Sequence, residues 1–294
     1  MVAGITRPLD GVADLRRMQR LVQDAWALDG PKVERHVGDL AWSTFQHVGR
    51  EPEWERQLWE EDGELVAYGW LFRPETLDYQ LDPRRPELLD DVLTWFEQRA
   101  ERRPLKTSAL AEDLTARETL RRRGYVEVED EPWFAYMLRD LEDVAEQAVP
   151  EGYSLRTVRG PDDVERRVEV HRAAFHPSRV TAESYRNVMA AWPYRAELDC
   201  VAEAPDASFA AYALAWYDDR NRVGELEPVG THPEHRRLGL ARAVNLFALR
   251  RLRETGAESA IVLCRGDSAY PGPKLFYESV GFRQHSRGIL YRRS

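Results

Sequence analysis

Two stretches of this 294-residue chain match each other at a single offset, and that repeat limits the fold more than any other feature. Residues 5–26, ITRPLDGVADLRRMQRLVQDAW, lie over residues 153–175, YSLRTVRGPDDVERRVEVHRAAF. Arg7 falls on Arg156, Leu15 on Val164 and Trp26 on Phe175. Each stretch reads as a short strand, a turn rich in Asp, Gly and Pro, then an amphipathic helix. Further landmarks keep the same order: LVAYGWLF (65–72) with FAAYALAWY (209–217), Pro83 with Pro233, and RRRGYVEVE (121–129) with ESVGFRQHS (278–286). Units of strand and helix look alike in any α/β chain, but this many ordered landmarks favour duplication over chance. Pro and Gly interrupt the chain at Val149-Pro150-Glu151-Gly152, so the halves are residues 1–149 and 150–294.

Each half is expected to be a mixed α/β unit (α+β), a largely antiparallel sheet flanked by helices. Apolar runs at 199–204, 209–217 and 223–231 are close enough for hairpins, with the turn DDRN at 218–221. The segment after them reads as strand 223–231, helix 238–255 and strand 258–264, a parallel crossover.

Composition bounds the function. The formal net charge is −9, which argues against nucleic acid as a partner, since phosphate backbones favour clustered Lys and Arg. No stretch approaches the roughly 20 apolar residues of a membrane helix, and the N-terminal stretch has no apolar signal core. Two cysteines without pair spacing suit a reducing compartment, so a cytoplasmic protein is expected. Nearly all positive charge is Arg, a compositional bias rather than a functional signal.

The stretch HPEHRRLGLARAV, residues 232–244, places a basic glycine turn at the mouth of a helix in an acidic chain. The first N–H groups of a helix have no partner inside it, and its dipole adds partial positive charge there. Gly239 removes a Cβ that would hold a ligand off the backbone, and Ala241 is nearly as small. This combination is a phosphate or pyrophosphate cradle. It is neither a Walker loop nor a dinucleotide fingerprint, since GxxxxGK[ST] and GxGxxG are both absent.

The arrangement resembles the GNAT superfamily of N-acetyltransferases. That family carries Pro-x-x-Arg/Gln-x-x-Gly-x-Gly/Ala after its fourth strand, and Pro233, Arg236, Gly239 and Ala241 fill the four places here. It also carries a late Leu-Tyr-x-x-x-Gly-Phe, which here reads LFYESVGF with Tyr277, Gly281 and Phe282. The resemblance covers residues 153–294 well. The asparagine usual seven residues before the tyrosine is replaced by Tyr270, so that loop is expected to hold the pantetheine arm differently.

The resemblance implies acetyl-CoA as cosubstrate, no metal, and direct attack by an amine of a small molecule or peptide on the thioester. The cofactor-binding positions it implies are Val229, Gly230, Thr231, Arg236, Arg237, Leu238, Gly239, Leu240, Ala241, Arg242, Tyr270 and Phe276. Tyr277 matches the family's general acid. Glu225 matches a position where several members keep a base, while Glu227 lies nearer the thioester on the same strand face. Either carboxylate could instead sit at a solvated edge, and Tyr277 could be core. A non-catalytic acyl-CoA sensor is the alternative function.

Aligned on Pro83, the first half places Pro86 on Arg236, Leu89 on Gly239, Asp91 on Ala241 and Leu120 on Tyr277. Proline removes a donor, leucine adds bulk, and Asp90 and Asp91 repel a pyrophosphate. The first half therefore reads as a degenerate copy that buttresses the second or helps build the substrate cleft. The whole resembles a tandem GNAT, with the arrangement of mycothiol synthases. Monomer and homodimer are both open, since fused halves could already bury the surface that single-copy relatives use. The acidic chain slightly favours a cationic amine through steering. His232-x-x-His235 lacks a third metal ligand, the first-half tryptophans read as packing more readily than as a cation cage, and Trp192 and Tyr194 are candidates to line the acceptor site.

Overall fold

The computed structural model describes residues 5–129, 131–146 and 148–294. The first half contains β1 (Ile5–Pro8), α1 (Gly11–Asp29), α2 (Val37–Phe45), β2 (Trp54–Glu61), β3 (Glu64–Phe72), β4 (Thr76–Leu81), α3 (Leu89–Arg99), β5 (Leu105–Leu110), α4 (Leu114–Arg122), β6 (Val126–Glu127) and β7 (Phe134–Asp140). The second contains β8 (Ser154–Thr157), α5 (Val164–Ala174), α6 (Ala182–Ala190), β9 (Asp199–Glu203), β10 (Phe209–Asp218), β11 (Val223–Thr231), α7 (Leu240–Glu254), β12 (Ser259–Arg265), α8 (Gly272–Ser279) and β13 (Arg283–Arg293). Apart from the two-residue β6, every element of one half has a counterpart in the other, in the same order.

The repeat extends to individual bonds. Arg7 pairs with Asp14, and Arg156 pairs with Asp163. Asp14 accepts the Asp10 N–H at 2.8 Å, and Asp163 accepts the Arg159 N–H at 2.8 Å. Each carboxylate thus holds the opening turn of its helix against the first strand. Hydrogen bonds from arginine and backbone favour the charged form of both, lowering each pKa to about 2 against the cost of burial.

The two halves share one mixed sheet. Its order is β1-β2-β3-β4-β5-β13-β7-β12-β11-β10-β9-β8, with β6 also on β13. The last strands are exchanged. β13 pairs antiparallel with β5 of the first half from Gly288↔Leu110 to Arg293↔Leu105. β7 of the first half pairs antiparallel with β12 from Ser259↔Asp140 to Arg265↔Phe134. A division at 149/150 follows chain order, whereas the hydrogen bonding runs across it. Apolar runs mark buried strands, but they carry no record of which neighbour a strand takes.

Strand β10 is buried at every position, as an unbroken apolar run in a strand covered on both faces should be. Leu240, Val244, Ala248 and Leu252 of α7 pack on one side of it. Helix α2, from the first half, crosses to the other side. Gly38 allows this close approach, because a Cβ there would collide with the Trp216 ring. Trp42 continues the same contact, in a cluster with Trp216 and Tyr185.

Candidate active site

Strands β11 and β12 run parallel and pair only from Val223↔Ser259 to Glu225↔Ile261. Beyond that they separate. Against β10, Ala213 faces Val229 but Ala215 faces Leu226, so Glu227 and Pro228 bulge opposite Leu214. Pro228 has no N–H to offer a ladder, and Trp216 Nε1 donates to the Glu227 carbonyl at 2.6 Å. The His232 N–H donates to Ala210 at 2.9 Å. By strand alternation, Val229 and Thr231 therefore turn their backbone groups toward the open side.

A cavity of about 530 Å³ fills the split. Glu227, Val229 and Tyr277 line it from the second half, with His171 and Phe175 of the α5 end; Trp42 and His47 line it from the first. Glu227 and Tyr277, chosen from sequence, therefore face one space. Burial, with the Asp39 and Glu225 carboxylates nearby, pushes the Glu227 pKa well above the usual carboxylate range, Arg35 opposing. Burial, with Cys264 and Glu227 close, raises the Tyr277 phenol and keeps it in its proton-donating form.

Glu225 occupies a different place. It is 2% exposed, does not line the cavity, and its Oε2 stands 3.2 Å from Nδ1 of His36 in the first half. Nδ1 already accepts the Gly38 N–H at 3.1 Å, and Nε2 faces the Val223 carbonyl at 3.3 Å. A neutral imidazole in that setting has no proton left for Glu225. Burial raises the Glu225 pKa, with the His36 ring opposing the shift.

The glycine turn has the form expected from sequence. After a turn of 3₁₀ helix at Pro233–His235, Arg237 has φ +65° and Gly239 has φ +81°, both left-handed. Gly239 is the N-cap of α7; no side chain caps the helix and no acidic residue stands in its first turn. The N–H groups of Leu240 and Ala241 thus receive no side-chain cap. Arg236, Arg237 and Leu238 are exposed beside them, and among the described residues neither arginine forms an ion pair. The Arg242 guanidinium donates to the Ser279 carbonyl, tying α7 to α8. Phe276 packs against Tyr277, ring centroids 5.1 Å apart, while Tyr270 is 57% exposed on the loop before α8.

The matching place in the first half is closed. Leu89 is 1% exposed and in right-handed helical backbone, Pro86 opens a 3₁₀ turn, and Asp90 and Asp91 stand in the first turn of α3. Leu120 is fully buried in the core.

Two cavity residues carry no motif signal. His171 Nδ1 meets the Tyr212 hydroxyl at 2.8 Å, and burial with Arg167 nearby lowers its pKa to about 3, leaving the ring neutral. Phe175 is exposed in the cavity, whereas its repeat partner Trp26 is core. That divergence at a matched position was the available sequence clue. Among the described residues no group of three His, Cys, Asp or Glu could hold a metal, and no helix is long and apolar enough to cross a membrane.

Residues 166–282 match the model of the acetyltransferase (GNAT) family. A mycothiol acetyltransferase of Geodermatophilus obscurus is 28% identical over 228 residues, 69% of this chain and 68% of that one. One of Rhodococcus erythropolis is 28% identical over 165 residues, 53% of this chain; the match spans about half of that relative, 54%. Among solved structures, a tandem GNAT protein from the clavulanic acid biosynthesis pathway superposes with a TM-score of 0.66 at 17% identity, covering 98% of each chain. A GCN5-related N-acetyltransferase from Sphaerobacter thermophilus gives 0.65 at 20% identity, covering 100% of this chain and 96% of that one.

Proposed function

From a chain with the tandem GNAT fold and a GNAT acetyltransferase domain over residues 166–282, we propose that residues 150–294 transfer an acetyl group from acetyl-CoA to a primary amine by direct attack. One observation carries this reading: a basic carboxylate and a buried phenol share a cavity at a strand split, beside an uncapped helix N-terminus.

In this reading the N–H groups of Leu240 and Ala241 receive the diphosphate, with Arg236 and Arg237 at its flank. The open edge of Val229 and Thr231 pairs with the pantetheine as a missing strand would. An N–H there polarises the thioester carbonyl. Glu227, made basic by its surroundings, takes the proton of the incoming ammonium. The amine nitrogen bonds to the carbonyl carbon, the C–S bond breaks, and Tyr277 gives its proton to the departing thiolate. Glu225, held by His36, supports Glu227 through its charge rather than by touching substrate. The first half binds no coenzyme, because Leu89 and two aspartates occupy the place of its cradle.

The test is thiol release from acetyl-CoA with a panel of primary amines, run beside calorimetric binding of coenzyme A. Turnover that falls in Tyr277→Phe and Glu227→Gln supports the proposal. Tight binding with no turnover of any amine replaces it with the sensor reading, and absence of binding refutes both.

A further inference from the structure

His47 lines both the cavity at the strand split and a second cavity of about 730 Å³ between the halves. Its walls are mainly apolar, from Leu9, Val12, Phe45, Trp54, Ala191 and Trp192. Two arginines stand among them. Arg56 of β2 lies over Trp70, 3.6 Å from the ring centroid, and 5.5 Å from that of Trp54. Its Nη2 donates to the Thr44 hydroxyl at 3.0 Å, its Nε is buried without a partner, and among the described residues it forms no ion pair. Arg16 of α1 lies 3.2 Å over the Trp192 ring and donates to the neutral Gln19 side chain at 3.2 Å; among the described residues it forms no ion pair.

Two carboxylates, Glu51 and Glu55, line the same cavity, and among the described residues neither pairs with Arg56 or Arg16. Glu55 is held by Arg73 at 2.5 Å and Arg99 at 2.7 Å, and Glu51 is exposed. A guanidinium between indoles without a paired carboxylate keeps part of its desolvation cost, which the ring contacts, the Thr44 hydroxyl and the more distant Asp78 offset only in part. Burial lowers the Arg56 pKa to about 10, which leaves it charged at neutral pH. Arg50 and Arg179 add positive charge beside His47, both facing Glu53.

We propose that this groove seats the far end of the acceptor, and that the far end carries a carboxylate gripped by Arg56, with Arg16 as second cation. The inference rests on the acetyl-transfer reading for the amine end. It names the acceptor class: a primary amine joined through an apolar body to a carboxylate, as in an amino acid or short peptide. A planar guanidinium matches a carboxylate in two parallel hydrogen bonds, and the indole walls suit an apolar linker. It also differs from the expectation from net charge: the chain is acidic overall, but this groove holds two guanidiniums that no carboxylate of its lining pairs with. Arg56 and Arg16 come from the first half and Trp192 from the second, so the degenerate copy supplies acceptor specificity.

Two measurements test this on the full chain. In the first, amines bearing a carboxylate at increasing separation are compared with their carboxamides at saturating acetyl-CoA. At least one carboxylate should show a KM at least tenfold below its amide with similar kcat. Arg56→Gln should erase that ratio while coenzyme binding is unchanged. In the second, tryptophan fluorescence is titrated with glutarate and with glutaramide, without turnover. Glutarate should perturb the emission and glutaramide should not, and Arg56→Gln should remove the difference. Equal responses to the two probes overturn the proposal, as does a preference that survives Arg56→Gln. If no amine of any kind is acetylated, the acetyl-transfer reading fails while the glutarate titration still decides the groove. Should the Gln variant not fold, Arg56→Lys serves, with a weakened preference expected and an unchanged one counting against the proposal.

Discussion

Replacing Gly239 by alanine separates what that residue does for folding from what it does for coenzyme. An alanine Cβ there would meet no protein atom within 4 Å, so steric collision inside the chain contributes nothing. The folding cost comes from φ +81° alone, about 1–2 kcal/mol for an L-residue in left-handed backbone. In a chain of this size that lowers the melting temperature by about 2–4 °C per kcal/mol. The open space around the Cβ is also where a diphosphate must approach the N–H groups of Leu240 and Ala241. Hydrogen bonds to a charged group contribute about 1.5–3 kcal/mol each, so one lost bond weakens binding about ten- to a hundredfold. Calorimetric titration of coenzyme A into both proteins, beside a thermal melt, reads the two costs apart. An alanine variant that melts a few degrees lower but binds coenzyme A with unchanged affinity would refute the cradle.

Three other perturbations follow from the same geometry. Tyr277→Phe removes the proton donor with no change in shape, and kcat should fall about a hundredfold or more with coenzyme affinity unchanged, read by thiol release against calorimetry. The pKa of Glu227 is raised and its unprotonated form is the base, so activity should be lost as pH falls through a value above the ordinary carboxylate range; a pH profile of kcat/KM should show that limb, and Glu227→Gln should abolish it. Asp163 has a folded-state pKa of about 2 against 3.8, so its stabilisation is present above pH 3.8 and fades as pH falls toward 2; Asp163→Asn should cost about 2–3 kcal/mol in urea unfolding at neutral pH, a deficit that shrinks in acid.

Much of this architecture stood in the chain's own repeat. Arg7 and Arg156 match in the sequence repeat, and both hold the opening turn of their helix through an aspartate seven residues on. Pro233, Gly239 and Tyr277 likewise mark a left-handed turn at an uncapped helix start and a cavity wall, because backbone chirality and helix ends are local matters. What stayed hidden was non-local. Glu225 and Glu227 share a strand face, but only His36, brought in by α2 of the other half, takes Glu225 out of the site. The bulge at Glu227 and Pro228 depends on register with β10, which apolar spacing does not encode. Arg56 looked like one arginine among many until Trp54, Trp70 and the absence of an ion pair among the described residues set it apart.

The exchanged strands tie the first half to the cavity of the second. Since β7 lies between β12 and β13, and β13 lies against β5, each half completes its sheet with a strand from the other. A half expressed alone would leave seven residues of β12 or six of β5 facing water on the exchanged side, an open edge prone to aggregation. Selection on folding therefore acts on both halves whether or not both bind ligand. Within that constraint the first half was free to fill its own cleft with Leu89, Asp90 and Asp91. It was not free to move α2, because Gly38 lies against Trp216 and the Trp216 indole holds the carbonyl of Glu227. The docking of α2 thus fixes the bulge that carries Glu227. In this chain, the first half positions Glu227 of the second.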